Sequence, residues 1–157
     1  MKLLTLLALC STVVLFPTSV LAQNSLQKEM QMMRDGEKQT AFIEKVAQQA
    51  KDKDLLSILA EIDSSILKES GQENISEYFQ KAIFPFFENY VKLHNYKQIT
   101  NAVLPNGRSG LWHYTYITTT TEEMSPFRIA IIDTTEGPKI LNISVGECIK
   151  GRHPICK

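Results

Sequence analysis

The hydrophobic period of this chain changes once along its length, near Tyr96. Upstream of that point apolar residues recur three and four positions apart, the spacing of a helix with one buried side; downstream they alternate, the spacing of a strand. No helical stretch separates the downstream strands. Parallel strands would need such crossovers, so the strands must run antiparallel, and helices followed by an antiparallel meander define an α+β fold. The expected architecture is N-terminal helices packed on a curved antiparallel sheet of about four strands.

The helical half divides into segments. Gln23 to Gln49 is polar, with a narrow stripe of Leu26, Met30, Met33, Phe42 and Val46, and Gly36 reads as an interruption. Residues 23–39 are therefore expected to form a loosely held arm, and a helix is expected over Thr40 to Ala50. Asp54 can cap a helix over residues 54–69, whose Leu55, Leu56, Leu59, Ile62 and Ile66 share one side, and Gly71 ends it. Asn74-Ile75-Ser76-Glu77 has the form of a capping box opening an aromatic helix that runs to His94. Phe79, Ile83, Phe86, Phe87 and Tyr90 make its stripe, and Pro85, which has no amide to donate, should kink it. Seven aromatic residues lie between Tyr78 and Tyr96, which marks this stretch as the central core element.

Four strands are expected in the second half: Gln98 to Leu104, Leu111 to Thr121, Phe127 to Thr134 and Lys139 to Val145. Asn106-Gly107-Arg108-Ser109-Gly110 and Thr135-Glu136-Gly137-Pro138 supply turns, and Glu122 to Pro126 is polar enough to read as a connection.

Ahead of all this stands an address. Lys2 precedes an apolar run from Leu3 to Phe16, Pro17 ends it, and Val20-Leu21-Ala22 presents small or modest residues to a signal peptidase. The run of 14 residues is short against the roughly 20 needed to cross a bilayer as a helix, so no stable membrane span is expected after cleavage. Residues 1–22 are read as a signal peptide, 23–39 as the arm and 40–157 as one domain. The mature chain is then 157 − 22 = 135 residues, exported to a periplasm or secreted. Cys10 leaves with the leader, and the remaining Cys148 and Cys156 are an even pair in an oxidising compartment, expected to form a disulfide around a loop containing Gly151 and Pro154.

Composition narrows function by exclusion. Lys and Arg number 17 and Asp and Glu 17, a balance that favours neither a nucleic acid nor an anionic membrane as partner. His94, His113 and His153 are too far apart in sequence for metal-ligand spacing, the cysteine pair matches no zinc knuckle or C-x-x-C couple, and there is no nucleophile elbow or Gly-rich phosphate loop, so no metal, cofactor or catalytic residue is assigned. What remains is a candidate pocket. Trp112, Tyr114 and Tyr116 share one face of their strand, Phe127 and Asp133 share one face of the next, and Asp63 sits on the shoulder of its helix's apolar stripe. Such residues either line a pocket, with hydroxyls and a desolvated carboxylate as polar handles, or pack and cap the fold. Lys150, Arg152, His153 and Lys157 make the C-terminal loop cationic. Asn74-Ile75-Ser76 and Asn142-Ile143-Ser144 match the glycosylation acceptor pattern.

The helix Asp54 to Ser70, Gly71, the aromatic helix Ile75 to His94 and the strands around Trp112, Phe127 and Leu141 together resemble the nuclear-transport-factor-two-like superfamily, the cone-shaped α+β fold that includes ketosteroid isomerase. The resemblance covers about two thirds of the chain and rests on element order. It implies a cone with a pocket between sheet and helices; the Tyr and Asp constellation of the isomerases has no counterpart by spacing, so no catalytic role carries over. The expected function is binding of a small apolar ligand or of an exported partner protein, with an inhibitor or immunity-type protein and a pocket enzyme using Asp63 or Asp133 as alternatives.

The exported protein should have the intact mass of a chain beginning at Gln23, and retention of Leu3 to Phe16 would contradict the leader. Replacing Cys148 and Cys156 by Ser should lower stability by about 2.6 kcal/mol in urea denaturation, the chain-entropy value for so short a loop.

Overall fold

A computed structural model of the protein describes residues 18–94, 98–153 and 156. The apolar leader run, Pro17 and Tyr96 lie outside the described residues. Helix α1 (Thr18–Lys38) starts within the stretch read as leader and is followed by α2 (Thr40–Lys51), α3 (Leu55–Glu61), α4 (Ser64–Ser70) and α5 (Gln72–Tyr78). A π-helical turn over Phe79–Ile83 leads into a last short helix, α6 (Phe84–Phe87). Five strands follow: β1 (Tyr90–Leu93), β2 (Gln98–Val103), β3 (Ser109–Thr119), β4 (Met124–Thr134) and β5 (Gly137–Val145). Every strand pairing is antiparallel, and the helices pack on a curled sheet, so the α+β reading holds.

β3 is the hub of the sheet. One of its edges carries two strands in series, β2 along its first half (Ile99 opposite His113) and β1 along its end (Leu93 opposite Ile117), while β4 covers the other edge and β5 lies outside β4. β1 occupies what the sequence reads as the end of the aromatic helix. Tyr90 is buried, as the helical stripe requires, but in a strand, because the helix ends at Phe87 and the chain turns through Glu88 and Asn89. β4 begins at Met124, inside the expected connection. Pro126 is tolerated there because its missing amide faces the side where β5 has already ended, and its carbonyl accepts from Gly146 at 2.8 Å.

The helices depart from expectation for identifiable reasons. Gly36 does not interrupt α1; it lets the helix lie against the sheet, since a Cβ there would meet the Ile99 side chain at 2.1 Å. Arm and domain are thus joined at the end of α1, while residues 24–31 are all exposed. The expected helix over 54–69 is two helices, because at Ile62 the chain leaves the helical path to bridge Ile140 in parallel, the Asp63 amide donating to the Ile140 carbonyl at 2.9 Å. α5 starts at Gln72, so Asn74 is inside the helix, donating to the Ser70 carbonyl at 2.8 Å, and does not open it. The kink at Pro85 takes the form of the preceding π turn, in which Phe84 donates to the Phe79 carbonyl five residues back.

The core between helices and sheet is built from Phe79, Ile83 and Phe87 against Ile117, Phe127, Ile129 and Ile131, with Ile43, Val46 and Ile58 above them. Phe87 meets Phe127 edge to face, ring centroids 5.4 Å apart. A second, smaller core of Ala102, Ala130 and Leu141, joined by Ile66, Leu104 and Trp112, holds the curl of the sheet. Two devices make that curl. Leu141 is an extra residue in β5, a bulge between Ile140 opposite Ile131 and Asn142 opposite Ala130. Gly110 brings β3 so near β4 that a Cβ would stand 2.1 Å from the Ile131 carbonyl oxygen.

The two close approaches differ in what can yield. Gly36→Ala meets the tip of an isoleucine side chain and gains helix propensity, so its net cost should be about 1 kcal/mol or less. Gly110→Ala meets backbone and should cost about 3 kcal/mol or more, read as the midpoint shift in urea denaturation.

Candidate functional site

The candidate pocket residues of the sequence fall on different surfaces. Alternation along β3 turns His113, Thr115 and Ile117 towards the helices, and Trp112, Tyr114 and Tyr116 away from them. Phe127 lies opposite Thr115 and is buried under the helices, so it does not share a face with the three β3 aromatics.

Each of those aromatics already has a partner within the fold. The Arg128 guanidinium stands 5.0 Å over the Trp112 ring and donates to Glu147 at 3.0 Å. Tyr116 stacks on His94, ring centroids 4.3 Å apart and 19° from parallel; His94 directly follows β1 and bonds Thr118 through Nε2. Tyr114 is buried by His153, whose ring meets it edge-on at 5.5 Å. Cys148 and Cys156 are joined in a disulfide, Cα atoms 5.6 Å apart, and the loop they close carries His153 onto the sheet. There His153 Nδ1 accepts from the Ile149 amide at 3.0 Å, which leaves Nε2 to donate to the Phe127 carbonyl at 3.1 Å. The Gln98 amide, turned nitrogen-first, donates to the Gly151 and Arg152 carbonyls at 2.9 Å. The staple thus acts as a cover for the middle of the sheet.

Asp63 is buried, with 4% of its surface exposed, yet none of its carboxylate is left for proton transfer. One oxygen accepts from the Ser65 amide at 3.0 Å and the Ser65 hydroxyl at 2.5 Å, capping α4, and the other takes the guanidinium of Arg108 from the β2–β3 hairpin. Burial alone would raise its pKa; the Ser65 hydroxyl, Arg108 and the Ser65 amide together outweigh burial and hold the carboxyl below its usual range. A general base at neutral pH needs the opposite displacement. Asp133 is exposed at the far end of β4, beside a separate cleft under α1.

An apolar-walled concavity that the sequence reading did not anticipate lies between the α4–α5 corner and the outer edge of β5. It encloses about 250 Å³. Ile62 and Ile66, Ile75 and Phe79 from the helices, and Leu141 and Ile143 from β5 form its walls; Tyr78, Asn74 and Asn142 supply polar groups at its rim. The break at Ile62 and Asp63 creates this groove, because it tips α4 away from the line of α3. The Tyr78 hydroxyl donates to the Ile143 carbonyl at 3.1 Å, and its pKa is raised by burial against the pull of Arg128. Ile62 and Ile66 belong to the helical stripe that reads as core, and Asn74 and Asn142 to the acceptor patterns, so the residues were visible in sequence and their convergence was not. Among the described residues no three His, Cys, Asp or Glu gather to hold a metal ion, and no helix is long and apolar enough to cross a membrane.

Comparison with protein-family models, curated proteins and solved structures finds no match to this chain.

A carboxyl with a lowered folded pKa stabilises the fold above its unfolded pKa and loses that contribution as pH falls through the folded value. Asp63→Asn should therefore be about 2 kcal/mol less stable than the natural chain at pH 7. The gap should narrow below about pH 4, as followed by denaturation at a series of pH values.

Proposed function

We propose that this chain is an exported, non-enzymatic binding protein that holds a small apolar ligand in the groove between the α4–α5 corner and β5. One observation carries the reading: isoleucine, leucine and phenylalanine walls line a concavity whose polar residues, Ser70, Asn74, Tyr78 and Asn142, are all exposed at its rim. That is the distribution a ligand pocket needs, apolar area for affinity and a few hydrogen-bonding groups for orientation. Its size, about 250 Å³, suits a single ring system or a short alkyl chain.

Among the described residues no carboxylate lines this groove, which favours binding over catalysis: Asp63 is engaged by Ser65 and Arg108, and Asp133 lies at another cleft. The order of helices followed by an antiparallel meander supports the cone-shaped superfamily as its family, and the leader supports export.

Native mass spectrometry of protein purified from its own compartment should reveal a bound apolar molecule. Ile75→Trp, which fills the groove from a half-buried position, should release it and weaken binding of an environment-sensitive anilinonaphthalene dye by about tenfold or more. A protein that carries nothing and binds the dye equally well in both forms would overturn the proposal.

A further inference from the structure

We infer that the ligand of the β5 groove carries a neutral hydroxyl head on its apolar body, so that the site takes alcohols and turns away fatty acids and amines; this rests on the groove being the binding site proposed above. No described residue that lines the groove is Asp, Glu, Lys, Arg or His. Lys68 and Glu73 stand two positions from the lining residues Ile66 and Ile75, about half a turn round α4 and α5, and so point away from it. Other charges on the flanking elements are already engaged. Glu69 accepts from Asn106 at 2.8 Å, Glu77 pairs with Lys81, and Lys139 donates to the Ala60 carbonyl at 2.7 Å. Arg128, close enough to act on Tyr78, is paired with Glu147 at 3.0 Å. A carboxylate or ammonium drawn to this rim would therefore lose water and meet no free counter-charge.

The rim groups then discriminate among neutral heads. Asn74 commits its side-chain nitrogen to the Ser70 carbonyl at 2.8 Å, which fixes the amide and leaves its oxygen as an acceptor. Asn142, exposed on β5, makes no side-chain hydrogen bond among the described residues, so its nitrogen is open to donate. The Tyr78 hydroxyl donates to the Ile143 carbonyl and is left to accept. Acceptors and a donor thus stand at one rim. A hydroxyl can answer both kinds of group, whereas an ether only accepts and leaves the Asn74 and Tyr78 oxygens without a donor.

Four probes separate these demands: 1-octanol, its isomeric ether 1-methoxyheptane, octanoate and octylammonium. Each is titrated at pH 7 against the full chain loaded with N-phenyl-1-naphthylamine, a neutral anilinonaphthalene-type dye. Octanol should displace the dye at a concentration at least about tenfold below either ion and about threefold below the ether. Asn142→Ala, which shortens an exposed side chain that makes no hydrogen bond in the fold, should cut the advantage over the ether to less than about twofold. Displacement by none of the four, equal displacement by either ion or by the ether, or an advantage over the ether that survives Asn142→Ala would overturn the hydroxyl head and leave the groove standing. Equal dye binding by Ile75→Trp and the natural chain would instead remove the groove, and this inference with it.

Discussion

Three parts of the chain meet at Asp63, and the arrangement of all three follows from how that one residue is satisfied. Its amide completes the Ile140 carbonyl on the outer edge of β5, its carboxylate caps α4, and its second oxygen holds Arg108 from the β2–β3 hairpin. The helical layer, the sheet edge and the hairpin tip are thereby tied at a single buried charge. A buried carboxylate is stable only when its lone pairs are filled, so the geometry of its partners is fixed along with it. The same node tilts α4 and opens the groove beside it.

The edge of β5 is finished by groups of the same chain. Ile140 receives a backbone donor, Ile143 receives the Tyr78 hydroxyl, and Leu141 bulges between them. An outer strand so treated offers little regular ladder to a neighbouring molecule, which is how natural sheets avoid pairing with one another. What the bulge leaves open is side-chain space at the margin of the main core, where Ile62, Phe79 and Ile143 turn one side to the groove.

Elements governed by local periodicity were legible in the sequence. The change of period near Tyr96, the four strands, the stripe of Phe79, Ile83 and Phe87 and the pairing of Cys148 with Cys156 all reflect rules that act over a few residues, or, for the cysteines, elimination. What was not legible depended on distant contacts. Nothing near Ile62 says that it will leave its helix for Ile140, seventy-odd positions away; nothing near Tyr90 distinguishes a fourth helical turn from a strand, since it is buried in both. Gly36 carries an interruption signal in sequence, and only the proximity of Ile99 shows that its value is the missing side chain. The aromatic face of β3 shows the same limit. Alternation correctly grouped Trp112, Tyr114 and Tyr116, but could not reveal that Arg128, His153 and His94 would occupy them.

The cover over Tyr114 bears on the order in which the molecule can be completed. β3 is the strand to which three others attach, yet the ring that seals its far face belongs to His153, almost at the C-terminus. Contacts between the middle and the end of a chain are long-range and close late. The sheet's far surface must therefore stay wet until the segment carrying His153 has folded back onto it, and the bond between Cys148 and Cys156 then keeps that ring in place.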